Sequence, residues 1–223
     1  MNELIRNPLK ILGSTTSAGG YYQNVNITGE CQFNGDVDCL KMSLTGEARI
    51  AGSLRAKEIK ITGECVANGG IDGLSLRGRG ELKTTAGLRI DSIKFTGNLD
   101  VKGECEAEEI QLSGAFNIDG LLSAENLDVS LYGPSCAMEI GGSRIRIKRS
   151  KAGRLLKLMK FKGDVMLKAG LIEGDNIELQ HTKADMVRGD HVVIGANCNI
   201  GTVEYRDTLE IHKSAIVKHQ VKL

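Results

Sequence analysis

Apolar residues between positions 25 and 129 occur in pairs that are two residues apart, and glycine or polar residues separate the pairs. One repeat contains six of them: Val25, Ile27, Cys31, Phe33, Val37 and Cys39. A spacing of two is the period of a β-strand, in which alternate side chains point to the same face. Gly29 and Gly35 follow two of the pairs, and glycine permits the positive φ of a sharp corner. The pattern therefore predicts three very short strands and three corners in each repeat.

The repeat has a period of 17 residues. Glycine recurs with this step at Gly29, Gly46, Gly63, Gly80, Gly97 and Gly114. An apolar column keeps the same step through Val25, Met42, Ile59, Leu76, Ile93, Ile110 and Leu127. A unit of this size cannot bury its own apolar face, but stacked units bury each column against its own kind. The sequence thus predicts an all-β parallel β-helix, a solenoid with 17-residue triangular coils.

The register loosens after Val129, where Leu131 replaces the glycine that the period predicts. Coil-like patterns return from Ala169 onward with a less regular step. We therefore expect a flexible tail over 1–20, about seven coils over 21–147, a basic interruption over 148–162, further coils over 163–219 and a short tail over 220–223. The sequence leaves open whether the two runs of coils form one stack.

A basic segment over residues 144–162 contains nine basic side chains and no acidic one. Its candidate contact residues are Arg144, Arg146, Lys148, Arg149, Lys151, Arg154, Lys157 and Lys160. Cations with apolar residues among them can contact an anionic membrane, an acidic protein face or nucleic acid. The alternative is that Ile145, Ile147 and some leucines point inward and leave the cations solvated. The acidic balance of the remaining chain argues against nucleic acid as a partner.

Composition adds few constraints. The net charge is +1, and 28 glycines with 4% aromatic residues fit tight corners around a narrow core. No apolar run approaches the roughly 20 residues that span a bilayer, and the N-terminal residues lack the apolar region of a secretory signal. We therefore expect a cytoplasmic protein that contacts a membrane at most peripherally. Its six cysteines form no zinc-binding pattern and are expected to be free thiols.

The columns, together with Ile27-Thr-Gly-Glu30, Gly35-Asp-Val37 and Ile61-Thr-Gly-Glu64, resemble those of the bactofilins, which are polymer-forming bacterial cytoskeletal proteins. The resemblance covers about 25–147 well and 163–218 less well. It implies a right-handed β-helix that assembles into non-polar filaments without nucleotide. It also implies a scaffolding role in cell shape, envelope organisation or motility, with no cofactor and no small-molecule substrate. The implied partners are other copies of the chain or a paralogue.

The two ends of the β-helix are the expected polymerisation surfaces. Each end presents unpaired N–H and C=O groups and the rim of an apolar core, and such edges invite pairing with another chain. The candidate residues lie in the first and last coils that the pattern indicates: Val25, Ile27, Phe33, Val37, Leu209, Ile211, Ile216 and Val217. The alternative is a monomer or dimer whose ends are covered by its own tails. The apolar and basic N-terminal tail is a second candidate for weak membrane contact.

The best enzymatic alternative is a hexapeptide-repeat acyltransferase, which is a left-handed β-helix. The segment Gly189–Gly201 resembles such repeats, and His191 is its only candidate general base. Strict hexads give 18-residue coils, however, whereas the first six coils here have a step of 17. His191 is expected to point outward because Val192 and Ile194 point inward. A polysaccharide-cleaving β-helix would need longer coils and a groove lined by acids, so we expect no enzymatic activity.

Overall fold

The computed structural model describes residues 6–150 and 165–223 of the chain. Within these ranges thirteen strands form one parallel sheet. The strands are β1 (Asn7–Ser17), β2 (Gly20–Phe33), β3 (Val37–Ile50), β4 (Leu54–Ala67), β5 (Ile71–Thr84), β6 (Leu88–Val101), β7 (Cys105–Leu131), β8 (Ser135–Gly141), β9 (Arg144–Arg149), β10 (Leu167–Leu179), β11 (Thr182–Ile194), β12 (Asn199–Ile211) and β13 (Ile216–Lys222). Each pairs with the next along the stack, and β9 bridges β7 and β10. The protein is thus a parallel β-solenoid of about 12 coils, which confirms the predicted all-β solenoid.

Neighbouring coils pair in a register that follows the sequence repeat. From β2 to β7, paired residues are 17 positions apart, as in Val37 with Leu54 and Leu54 with Ile71. The step rises to 19 where Asn117 pairs with Cys136 and falls to 15 where Leu167 pairs with Thr182. The regular period therefore ends where the strand register shifts.

The core is one continuous column of apolar side chains along the stack. Residues in the column that begins at Val25 and ends at Leu127 are at most 2% exposed. Ile145 on β9 pairs with Leu127 below it and with Ile177 above it. The two runs of coils therefore form one stack, which the sequence left open. Most of the predicted basic interruption, residues 151–162, lies outside the described residues.

The structure corrects the prediction of a flexible tail over residues 1–20 in its described part, which begins at residue 6. Residues 7–17 form β1, which pairs with β2 along its length and places Ile11 opposite Ile27. Ile11 is only 5% exposed. The hydroxyl of Tyr22 donates a hydrogen bond of 3.0 Å to the carbonyl oxygen of Gly19 and so holds the connection to β2. The physical reason is that the edge of β2 offers unpaired backbone groups, which an adjacent extended segment satisfies.

The predicted C-terminal tail over residues 220–223 is corrected in the same way. Strand β13 runs from Ile216 to Lys222 and pairs with β12, with Val203 opposite Gln220 and Tyr205 opposite Lys222. Backbone pairing alone holds this segment, since Gln220 and Lys222 are exposed. Within residues 6–150 and 165–223, no helix is long and apolar enough to cross a membrane.

Candidate functional site

The C-terminal end of the stack exposes mainly apolar side chains of the core columns, with the polar Gln220 above Val203 among them. Leu209 and Ile211 continue the inward columns of Val192 and Ile194, and Val217 continues that of Ile200. Ala215 lies beside them and is partly buried against the core. We call Leu209, Ile211, Ala215 and Val217 the C-terminal rim. Strand β13 is the last of the described strands in the sheet order, so its outer edge pairs with no other described strand.

Burial changes sharply at this rim. Ile194 is fully buried, whereas Ile211, one coil further on, is 38% exposed. The predicted interface residues Leu209, Ile211 and Val217 are therefore placed together at the end of the stack. Ile216, the fourth predicted residue, pairs with Asn199 at an outward position and is 59% exposed on the side of the stack. It does not belong to the rim.

The interface residues predicted at the N-terminal end lie one coil inside it, which corrects their assignment. Val25, Ile27, Phe33 and Val37 are at most 2% exposed, because the coil that contains β1 covers them. The N-terminal rim is formed instead by Leu9, Ile11 and Ser17, which lie below Val25, Ile27 and Phe33, and by Thr15, which lies below Cys31. Two of these four are polar, so the two ends of the stack differ in chemistry.

A weak sequence signal for β1 was present. Leu9, Ile11 and Gly13 repeat the spacing of Val25, Ile27 and Gly29 after 16 residues. The period of 17 missed this match because one residue is absent from the first coil. The structure shows a register irregularity at the start of β1, between Asn7 and Leu9.

Three of the four described cations of the basic segment have intramolecular partners. Arg144 donates a hydrogen bond of 2.6 Å to Asn126, Arg146 pairs with Asp128, and Lys148 lies 3.0 Å from Glu178. Ile145 and Ile147, which alternate with these cations, are at most 1% exposed. The inward-strand interpretation of this part of the segment is therefore confirmed.

The remaining candidates of this segment divide between two situations. Arg149 is exposed at the end of β9. The pKa of His181 is lowered mainly by partial burial of its imidazole, and the charge of Arg149 lowers it further. Lys151, Arg154, Lys157 and Lys160 lie outside the described residues. The segment's described part thus offers fewer free cations than its sequence suggests.

A polar groove of about 760 Å³ crosses one side of the stack between β7 and β11. Its lining includes Asn126, Arg144, Asn176 and His191. Nδ1 of His191 lies 3.1 Å from Oγ1 of Thr208, and its Nε2 lies 3.5 Å from a carboxylate oxygen of Asp207. His191 is exposed, which confirms its predicted outward direction. A carboxylate and a hydroxyl can orient an imidazole as a proton acceptor.

Metal binding finds no support in the described part of the chain. No group of three or more histidine, cysteine, aspartate or glutamate side chains is arranged there to hold a metal ion. Cys31, Cys39, Cys65, Cys105 and Cys198 are buried free thiols, and Cys136 is half-buried. The first four of them pack as small apolar side chains in the core.

Burial also makes two of these thiols poor acids. It raises the pKa of Cys65 to about 12, with a smaller contribution from the charge of Glu64, and raises that of Cys105 to about 12. The thiolate is the reactive form of cysteine. A pKa of about 12 instead of 9.0 lowers the thiolate fraction at pH 8 by roughly a factor of a thousand.

We therefore expect an alkylating reagent at pH 8 to modify Cys136 in the folded protein and to leave Cys65 and Cys105 unmodified. Mass spectrometry of the digested protein measures each site, and unfolding in urea is the control that should make all six cysteines react. If Cys65 of the folded protein were labelled as fast as Cys136, the conclusion that Cys65 is buried inside the coils would be wrong.

A set of cations outside the basic segment was missed by sequence reasoning. Lys60, Arg77 and Lys94 occupy one outward column on three successive coils, and Arg79 lies beside Arg77 on the same face of β5. We call Lys60, Arg77, Arg79 and Lys94 the basic patch. The signal that could have found it is the recurrence of a cation with the step of 17.

Comparison with known proteins gives one relative along nearly the whole chain and one along about half of it. The uncharacterized protein YhbE of Bacillus subtilis (strain 168) is 45% identical over 233 aligned residues, which cover 96% of this chain and 98% of that protein. The uncharacterized protein YhbF of the same organism is 37% identical over 105 residues, which cover 47% of this chain and 42% of that protein. No protein-family model matches the chain, and no solved structure matches it.

Proposed function

We propose that this chain, which belongs to the family of the Bacillus subtilis protein YhbE, is a structural scaffold that joins end to end into filaments without nucleotide. The C-terminal rim is the observation that carries the proposal. It combines unpaired strand edges with apolar side chains that continue the core columns. Adding another stack continues both the core and the hydrogen-bond ladder, as stacking does between coils.

The proposal includes the finer features that the bactofilin resemblance implies, except that the filaments are polar. A joint that continues the parallel ladder brings the C-terminal rim of one subunit against the N-terminal rim of the next. The coils are right-handed and triangular, and the filaments lie in the cytoplasm. The partners are further copies of the chain or a paralogue. The filament serves cell shape, envelope organisation or motility as a scaffold, without catalysis.

The free-energy gain from burying the C-terminal rim is small enough that one charged side chain there should prevent association. Fully burying an exposed aliphatic side chain contributes about 1.5–3 kcal/mol, and Leu209, Ile211 and Val217 have part of that gain left. Each new backbone hydrogen bond adds about 1 kcal/mol net. These gains work against an association cost of about 4–15 kcal/mol. The joint therefore depends on all of its apolar contacts.

The experiment compares Ile211→Lys with Met138→Lys. Ile211 is 38% exposed at the rim, and Met138 is 64% exposed on the side of the stack, so neither lysine disturbs the core. We expect the unmodified protein to sediment and to form fibres in negative stain without nucleotide. Met138→Lys should behave in the same way, whereas Ile211→Lys should stay monomeric with an unchanged β-type circular dichroism spectrum.

Two results would argue against the scaffold. One is an unmodified protein that stays monomeric at every concentration in analytical ultracentrifugation. The other is Ile211→Lys that assembles as well as Met138→Lys, because the C-terminal rim would then not be the joint.

A hexapeptide-repeat-like acyltransferase is the second candidate, and the surroundings of His191 favour it. The imidazole is exposed in the polar groove with Thr208 and Asp207 beside it, which is an arrangement suited to accepting a proton. If the chain is such an enzyme, it should form a compact oligomer and bind coenzyme A in calorimetry. His191→Asn should then abolish acyl transfer while leaving coenzyme A binding intact. The scaffold proposal expects no coenzyme A binding.

A further inference from the structure

The basic patch consists of cations that have no anionic partner in the part of the chain that the structure describes. Lys60 pairs with Arg77 across the coils, and Arg77 pairs with Lys94. All four cations of the patch are exposed. Among the described residues none of them forms a salt bridge or a side-chain hydrogen bond. Adjacent coils are about 4.8 Å apart, so three of these charges stand within about 10 Å along the stack.

Other cations on the neighbouring coils do have anionic partners. Lys41 lies 3.0 Å from Glu58, and Arg89 lies 2.9 Å from Glu106. Beside the cations of the patch lie the hydroxyl residues Thr62, Ser75, Ser92 and Thr96. One carboxylate, that of Glu58, lies two residues before Lys60 on the same face, and it is paired with Lys41. Like charges directly opposite each other on adjacent strands are destabilising. The fold therefore leaves an excess of positive charge on this face, which an external anion would neutralise.

Exposed leucines stand at the corner where this face begins. Leu74 is 53% exposed and lies three residues before Arg77, and Leu40 is 39% exposed two coils earlier in the same corner column. Lys57 stands between them in that column and is also exposed, and the exposed Asp91 follows Leu74 one coil later. Apolar side chains that project beside a row of cations suit the interface of an anionic bilayer, where phosphates meet the cations and hydrocarbon meets the leucines.

Charge elsewhere on the stack makes the contact one-sided. Glu30, Glu47, Glu64 and Glu81 form an in-register column beyond the next corner, and this column would be repelled by an anionic surface. Nucleic acid fits the basic patch less well. No exposed aromatic side chain lies among the patch residues or their register neighbours, so bases would have no stacking platform.

We propose that this face is a membrane-contact surface. The basic patch binds the phosphate and carboxylate groups of an anionic lipid bilayer, and Leu40 and Leu74 enter its headgroup layer. The contact is a property of the single stack and holds whether or not the chains join end to end. Filaments would strengthen it, because linked copies bind the same surface together.

The test measures binding to vesicles of phosphatidylserine with phosphatidylcholine, and to vesicles of phosphatidylcholine alone, by co-sedimentation. The full chain is used with Ile211→Lys throughout, so that assembly does not contribute. Each cation near an anionic bilayer contributes roughly a factor of five to partitioning. Lys60→Gln with Lys94→Gln should therefore weaken binding to the anionic vesicles by roughly 25-fold, and added salt should weaken binding of the parent protein.

The matched control is Lys168→Gln with Lys183→Gln. These two lysines are also exposed and pair in register across two strands, and their loss should change binding by less than about twofold. For the apolar part, Leu74→Ser should weaken binding, whereas Met138→Ser, which removes another exposed apolar side chain, should not.

Three results would overturn the proposal. The first is no binding to anionic vesicles, or equal binding to neutral ones. The second is an equal loss in the two lysine pairs, which would mean a nonspecific charge effect. The third is tight binding of a short DNA duplex through Lys60 and Lys94 without vesicle binding, which would assign the patch to nucleic acid.

Discussion

Gly63→Ala is expected to lower the free energy of unfolding by at least about 3 kcal/mol. Gly63 has a φ of +129°, and a Cβ atom there would overlap the carbonyl oxygen of Gly46 on the preceding coil. An L-residue in this backbone region costs about 1–3 kcal/mol, and the overlap with a backbone atom adds to that cost. The alanine must therefore either leave the corner conformation or separate two coils.

Gly70→Ala is the matched control for this substitution. The nearest atom to a Cβ at Gly70 would be the carbonyl oxygen of Gly87 at 3.5 Å, which is ordinary contact, and its φ is not positive. We expect a change within about 1 kcal/mol, because alanine also restricts the unfolded chain. Urea denaturation followed by circular dichroism measures both variants. Similar urea midpoints for the two alanine variants would contradict the conclusion that the corner at Gly63 requires glycine.

Deleting residues 1–18 is expected to open the N-terminal end of the stack. Without β1, the apolar side chains of Val25, Ile27 and Phe33, now at most 2% exposed, would form a new rim. Re-exposing a buried aliphatic or aromatic side chain costs about 1.5–3 kcal/mol. The truncated chain should therefore bind a hydrophobic dye strongly and associate through this end.

The deletion is most informative in the Ile211→Lys background, where the C-terminal rim carries a charge. We expect Ile211→Lys to be monomeric and the same variant without residues 1–18 to dimerise in analytical ultracentrifugation. Removal of residues 1–5 alone, which precede β1, is the control and should leave a monomer. A truncated variant that stays monomeric and binds no dye would show that β1 does not shield an apolar surface.

The sequence allowed the solenoid to be predicted because every position of a regular coil repeats the same environment. Met42, Ile59 and Leu76 can be aligned without any structure, since each stacks on the one before. The first coil was not predicted because its step to the next coil is 16 and because the polar residues Thr15 and Ser17 occupy its core columns. Pairing of β9 with two strands also depends on register shifts that no short motif marks.

The candidate surfaces were harder to predict because proximity along the chain differs from proximity in the stack. The dense run of cations over residues 144–148 suggests a free basic surface. Adjacent coils nevertheless supply partners for its cations: Asn126 for Arg144, Asp128 for Arg146 and Glu178 for Lys148. Which cations remain without partners follows only from the strand register, and the register of the irregular coils is known only from the structure.

Counting coils also sets a length scale. About 12 coils with a rise of about 4.8 Å each give a subunit roughly 58 Å long. In a filament of such subunits joined head to tail, Arg77 and its neighbours would recur once per subunit, at intervals of that same length. Gain or loss of a single coil would change this interval by about 4.8 Å. The number of repeats in the chain would therefore set the spacing along the filament.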